Sequence, residues 1–113
     1  MHELAITKSI LDLVLEQAER AGAKEVVKIN LVIGEMTGVV GDCVQFYFDF
    51  ISKGTLAEGA ALSLVMVPPQ AQCRGCDKLF ELKEFDWTCP YCGGNSLQII
   101  AGKELFVESI EVE

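Results

Sequence analysis

The segment CRGCDKLFELKEFDWTCPYC constrains this chain more than any other. It holds two CxxC pairs, Cys73/Cys76 and Cys89/Cys92, with twelve residues between them; Cys43 is the one cysteine outside it. Four thiolates delivered as two pairs complete a tetrahedron of about 2.3 Å Zn–S bonds, and the two residues inside each pair let backbone N–H groups turn toward sulfur. Gly75, Gly93 and Gly94 are placed to allow the tight turns this requires. Two local disulfides or free thiols are the alternatives. The start of the chain has Glu3 in place of a basic n-region and no uninterrupted apolar stretch, so a reducing, cytoplasmic setting is expected. In that setting paired CxxC reads as a metal site first. With four protein ligands the ion keeps no open position, and it serves as a staple for a segment too small to fold alone.

The identity of the metal and the use of the module are separate questions. FDWTCPYCG is similar to the second half of a rubredoxin, whose tetrathiolate holds redox-active iron, but rubredoxin knuckles lie much farther apart in sequence. Zinc is expected here, with an iron electron carrier as the reading that visible absorption would reveal. Zinc ribbons also bind nucleic acid. Between Cys73 and Cys92, however, Arg74, Lys78 and Lys83 face Asp77, Glu81, Glu84 and Asp86, three positive charges against four negative. The whole chain carries −8, and its nine Lys and Arg form no run. That balance repels phosphate and anionic lipid. Phe80, Phe85, Trp87 and Tyr91 are therefore expected to pack over the sulfur cage rather than stack on bases. No stretch approaches the roughly 20 apolar residues of a membrane span.

Outside the module the hydrophobic pattern predicts an α+β fold. Ile6, Ile10, Leu13, Val14, Ala18 and Ala21 recur at helical spacing up to Gly22. VVKINLVIGE follows, with Val27, Ile29, Leu31 and Ile33 on one face of a half-buried strand. A second helix is expected after Gly41, capped by Asp42 with Gln45 at the capping-box position, with a face of Val44, Phe46, Tyr47, Phe48, Phe50 and Ile51. ALSLVMV reads as a strand, and Pro68 and Pro69 end it. ELFVESIEV reads as one more, with an irregularity near Ser109. The architecture is two helices packed on a three-stranded sheet, with a small inserted four-cysteine zinc-ribbon-like module. The expected division is residues 1–69 plus 103–113 for the α+β part and 70–102 for the module. Cys43 reads as a small apolar residue of the second helix.

The sole histidine, His2, stands between Met1 and Glu3. The Met1 amine, the His2 backbone nitrogen and imidazole Nδ1 can close a five-membered and a six-membered chelate ring on one ion, leaving one position of a square plane. Ni(II) and Cu(II) accept such planar nitrogen-rich sets. Glu3, through its backbone nitrogen or its carboxylate, is the nearest group to fill the gap. The plain alternative is a solvated terminal histidine, with Glu3 favouring the positive end of the first helix.

The whole chain resembles the HypA/HybF family of hydrogenase nickel-incorporation proteins. The resemblance rests on MHEL, on INLVIGEMTGV with the helix after it, on SKGTLAEGA, on the CxxC and CPYCGG knuckles, and on GKELFVESIEVE. It implies a non-enzymatic metallochaperone that delivers Ni(II) to the large subunit of [NiFe] hydrogenase, works with a GTPase accessory protein, and in some organisms also serves urease and its maturation factors. It maps His2 to the nickel ligand, with the Met1 amine and Glu3 completing or supporting the site, and Cys73, Cys76, Cys89 and Cys92 to structural Zn(II). With no second histidine, any further nickel donor in the chain is amine, backbone, carboxylate, thiolate or water. The alternative of a different class is a zinc-ribbon interaction module, for nucleic acid or protein, in which MHE has no metal role. An enzyme fits least, because no Ser or Cys has a histidine base other than His2. Both a monomer and a homodimer fit the pattern, and a chain that leaves its sheet and returns could also exchange an element with a second copy.

Overall fold

A computed structural model describes residues 3–83 and 86–113. The first helix, α1 (Glu3–Arg20), turns Ile10, Leu11, Val14 and Ala18 into the core together with Thr7, whose hydroxyl donates to the Glu3 carbonyl at 2.6 Å. Its buried stripe is rotated from the expected one: Leu11 is inside, while Leu13 is 44% exposed and Ala21 lies in solvent. The helix ends in a Schellman arrangement around Gly22, with the Ala23 N–H donating to the Ala18 carbonyl at 3.0 Å.

Next comes β1 (Val26–Gly34), which places Ile29, Leu31 and Ile33 beneath the helices as the alternation predicts. A register shift between Val26 and Lys28 reverses the phase at its start, so Val26 rather than Val27 enters the core. The second helix, α2 (Gly41–Ile51), leads to β2 (Ala61–Val67), which pairs with β1 in parallel from Lys28↔Ala61 to Gly34↔Val67. A parallel neighbour needs a long crossover, and α2 supplies it. The expected cap differs. Val40 is the N-cap and makes no side-chain cap bond, Asp42 sits inside the first turn, and the Gln45 amide donates to Asp49 at 2.8 Å. Only Val44 and Phe48 of the expected apolar face are fully buried.

Directly after Pro69 the chain forms β3 (Gln70–Cys73), β4 (Leu79–Glu81) and β5 (Leu97–Ala101), a second antiparallel sheet in the order β4-β3-β5. The sequence pattern did not disclose these short strands. The chain then returns as β6 (Leu105–Val112), antiparallel to β1, to complete the first sheet in the order β2-β1-β6. The predicted irregularity is present: pairing passes from Asn30↔Ser109 to Leu31↔Val107, leaving Glu108 as an extra residue. This bulge is what allows Leu105, Val107 and Ile110 all to meet the inward residues Ile33, Leu31 and Ile29.

The departure and the return cross at one point. The Gly34 N–H donates to the Glu104 carbonyl at 2.6 Å, and the Met36 N–H donates to the Gly102 carbonyl at 2.7 Å. A Cβ on Gly34 would lie 2.2 Å from the Gly102 backbone, which no side-chain movement can relieve. At Gly41 the corresponding neighbour is one flexible Leu64 methyl at 2.9 Å. Gly34→Ala should therefore cost about 3 kcal/mol or more of unfolding free energy, at or beyond the upper end of ordinary overpacking, while Gly41→Ala stays below about 1 kcal/mol. Denaturant melts of the two variants decide this, and equal losses would contradict it.

Candidate metal centre

The four paired cysteines converge. One Sγ from each of Cys73, Cys76, Cys89 and Cys92 lies within 4.8 Å of all the others. Two contacts close the cluster across the pairs, Cys73···Cys92 at 3.5 Å and Cys76···Cys89 at 3.6 Å. A tetrahedron with metal–sulfur bonds of about 2.3 Å has S···S edges of about 3.8 Å, so the set accepts a tetrahedral ion with little adjustment.

The two knuckles repeat one backbone design. In the first, the Asp77 N–H donates to the Cys73 carbonyl at 2.8 Å and the Cys73 N–H to the Lys78 carbonyl at 2.9 Å. In the second, the Gly93 N–H donates to the Cys89 carbonyl at 2.8 Å and the Cys89 N–H to the Gly94 carbonyl at 2.7 Å. The Gly75 and Tyr91 N–H groups each donate to the first sulfur of their pair at 3.4 Å, the contacts that offset thiolate charge. The residue after each second cysteine turns left-handed, Gly93 at φ 75° and Asp77 at φ 62°. The expectation that Gly75 makes the first turn is thus corrected: the task falls to Asp77, one of the few side chains that tolerate this region.

These contacts divide the thiols. Cys73 is drawn down to about 7, chiefly by the Cys76 N–H, with the Gly75 N–H adding to it against the effect of burial. Cys76 is pushed up to about 12: the Lys78 N–H favours its thiolate, but burial and the neighbouring sulfurs outweigh that. Four thiolates at this separation repel one another, and a divalent cation is the group that lets all of them ionise. The donor set is soft, closed and tetrahedral, which fits zinc as a structural ion.

Two of the aromatic residues expected to cover the sulfurs, Trp87 and Tyr91, do not do so, and Phe80 is half-buried. Trp87 and Tyr91 are largely exposed, with the Lys78 ammonium 5.4 Å from the Tyr91 ring centre. Ala71 and Leu82 are the residues buried with Cys73 and Cys89. Phe85 lies outside the described residues.

Of the second candidate site, Met1 and His2 lie outside the described residues as well. Glu3 opens α1, and its carboxylate accepts the Val40 N–H at 3.3 Å, satisfying from another helix the backbone donor of the residue that precedes α2. Sequence reasoning missed this pairing because nothing local links residues 3 and 40. The described residues contain no further cluster of three or more His, Cys, Asp or Glu side chains positioned to hold a metal.

Comparison with known proteins agrees with this arrangement. A family model described as "Hydrogenase/urease nickel incorporation, metallochaperone, hypA" matches residues 1–112. The chain is 45% identical over 114 residues to a hydrogenase maturation factor HypA of Caldanaerobacter subterraneus subsp. tengcongensis, covering 100% of both chains. It is 37% identical over 113 residues to the corresponding factor of Geobacter sulfurreducens, again covering 100% of each. The fold is shared with the solution structure of the Ni metallochaperone HypA from Helicobacter pylori, at a TM-score of 0.68 and 24% identity over 99% of this chain and 97% of that one. A second solution structure, of a HypA protein, gives a TM-score of 0.75 at 23% identity, covering 100% and 97%.

The cysteine geometry makes a stability prediction. Replacing Cys73 and Cys76 together by Ala should release the zinc and abolish protection of the β3–β5 amides in hydrogen exchange. The core around Phe48 and Ile29 contains none of these sulfurs and should keep its protection. Equal loss in both sheets would show that the metal holds the whole chain and not one part of it.

Proposed function

The chain belongs to the HypA family of hydrogenase/urease nickel-incorporation metallochaperones, and from that premise we propose that it carries nickel on its first three residues. The protein is a maturation factor, not an enzyme, and its chemistry is ligand exchange. In this reading the Met1 amine, the His2 backbone nitrogen and the His2 imidazole bind Ni(II) in a plane, and Glu3 completes or supports the fourth position. A site at a chain end suits a carrier, because its donors can be displaced one at a time when the acceptor offers better ones. Cys73, Cys76, Cys89 and Cys92 hold structural Zn(II) in a closed shell, which neutralises the thiolates and ties the two knuckles together. Residues 1–69 plus 103–113 and residues 70–102 act as two units with one metal each. The acceptors are the hydrogenase large subunit, reached with a GTPase accessory protein, and urease maturation factors where that enzyme is present. The setting is cytoplasmic; no helix among the described residues is long and apolar enough to cross a membrane.

One observation carries the nickel reading: the family match begins at residue 1, and the chain's sole histidine is one residue away, at position 2. The acidic balance of −8 agrees with a cationic cargo. A zinc-ribbon module without a nickel role is not favoured by a family match of this extent.

Nickel affinity should fall on mild acidification. The amine has a reference pKa of about 7.7–8.0 and imidazole about 6.5, and both must give up protons to bind. Protons therefore compete more strongly as pH drops, and nickel titrations should show a steep loss of apparent affinity below about pH 6.5. A flat profile from pH 8 to pH 6 would mean that these nitrogens are not ligands.

The amine itself is tested by masking it. A short histidine-free extension before Met1 turns the basic amine into a planar amide and breaks the five-membered ring. Such an extension should weaken nickel binding about as much as His2→Ala, with zinc content and helix signal unchanged. One nickel bound with native affinity by the extended chain would exclude the amine.

A further inference from the structure

A closed shell of four thiolates resists exchange of its metal, but it does not shield the sulfurs from oxidation. The two short contacts in the cage both run from one knuckle to the other, Cys73 to Cys92 at 3.5 Å and Cys76 to Cys89 at 3.6 Å. Each also joins a buried cysteine to a more open one. Cys73 and Cys89 are buried, Cys76 is half-buried and Cys92 is exposed.

The surroundings of the sulfurs sharpen this division. The Gly75 and Tyr91 N–H groups donate to Cys73 and Cys89 at 3.4 Å and draw charge from those two inner sulfurs. Cys92 is followed by two glycines, and a Cβ on Gly94 would lie 3.4 Å from its sulfur, so the glycine leaves that side bare. The rings of Trp87 and Tyr91 stand in solvent. A small oxidant therefore meets Cys92 first, and each inner sulfur waits beside an outer one.

We propose that the cage is a reversible oxidation site for peroxide, which closes it as two bridges across the knuckles, Cys73–Cys92 and Cys76–Cys89. The Cys92 thiolate attacks one peroxide oxygen, the O–O bond breaks, and hydroxide leaves to become water, with Cys92 now a sulfenic acid. The Cys73 thiolate then attacks that sulfur, forms the S–S bond and displaces the remaining oxygen, which takes up a proton and departs as a second water. Cys76 and Cys89 repeat the sequence with another peroxide. Four thiolates, two peroxides and four protons give two disulfides and four waters, with four electrons passing from sulfur to oxygen. Each pair of sulfurs has to approach by only about 1.5 Å to reach the ~2.05 Å bond.

With no thiolate left, the cage releases zinc. Bridges inside each CxxC would consume the same peroxide but leave the knuckles unjoined. Bridges across them close the nested loops 73–92 and 76–89, tie the same backbone that zinc ties, and stabilise more because the loops are longer. The module then has two folded states, one held by metal and one by sulfur, and a thiol reductant with zinc restores the first.

The test uses the full chain loaded with one zinc and free of nickel, to which hydrogen peroxide is added in steps. About two equivalents should release the zinc, read with a metallochromic dye, and remove four thiols. Trypsin without reduction reads the pairing: it cuts after Arg74, Lys78 and Lys83, which puts Cys73, Cys76 and the Cys89/Cys92 pair on three fragments. Bridges across the knuckles join all three, and tandem mass spectrometry should find Cys73 with Cys92. Bridges inside each pair would leave residues 84–103 as a separate peptide lighter by two hydrogens. At one equivalent, Cys73–Cys92 should exceed Cys76–Cys89 about threefold or more. The β3–β5 amides should keep their hydrogen-exchange protection in the oxidised, zinc-free chain, unlike those of Cys73→Ala/Cys76→Ala, and dithiothreitol with zinc should restore thiols and metal together. Bridges inside each CxxC, sulfinic acids that the reductant does not reverse, or loss of β3–β5 protection on oxidation would each overturn the proposal. No readout uses nickel, so either result leaves the nickel assignment to its own tests.

Discussion

Strand β1 is the element on which the rest of the chain depends. It pairs with β2 on one side and β6 on the other, and it presents Ile29, Leu31 and Ile33 to both helices. Its last residue, Gly34, is where the returning backbone passes at Gly102 and Glu104. Because β6 reaches its place only after the chain has run through the cysteine segment, that whole excursion must begin and end within reach of one strand. Contact between glycine backbones meets that requirement, since any Cβ at Gly34 would occupy the space of the returning chain. The cysteine module is thus held at both ends by the sheet from which it departs.

Inside the module a different force takes over. Strands of three to five residues bury few side chains, and Ala71 and Leu82 make a small core. Two knuckles with the same backbone hydrogen bonds bring four sulfurs together, and the repulsion among four thiolates calls for a cation at their centre. The closed shell suits permanence. The site proposed for nickel, at Met1, His2 and Glu3, is of the opposite kind, with fewer protein donors, as suits an ion that must be passed on. The Glu3 carboxylate ties the start of α1 to the start of α2.

Side chains left in solvent complete the picture of a protein that meets others. The rings of Phe46 and Phe50 stand on α2, and those of Trp87 and Tyr91 on the cysteine module, with no core to enter. Exposure of large apolar groups at several places in a chain of 113 residues accords with a factor that works by docking.

The sequence by itself determined the elements whose signals are local. CxxC spacing named the four sulfurs before any fold was known, because two residues between cysteines is the span a knuckle needs. Alternation found β1, β2 and β6, and the slipped pattern at Ser109 disclosed a bulge. The placing of the sole histidine between Met1 and Glu3 is likewise read from the sequence, as is the resemblance carried by MHEL and CPYCGG. What only the tertiary structure decided is where side chains meet partners distant in sequence. It turned Leu11 into the core in place of Leu13, set Val26 inside through a shifted register, and gave the left-handed turn to Asp77 where Gly75 was the expected choice. It also left the Val40 N–H to Glu3 and put Phe46 and Phe50 in water. Periodicity states that a helix has an apolar face; where that face is as broad as the one from Val44 and Phe48 to Phe46 and Phe50, it cannot state which part of it faces the sheet. That choice is made by the volume available over β1, which exists only when the strands have paired.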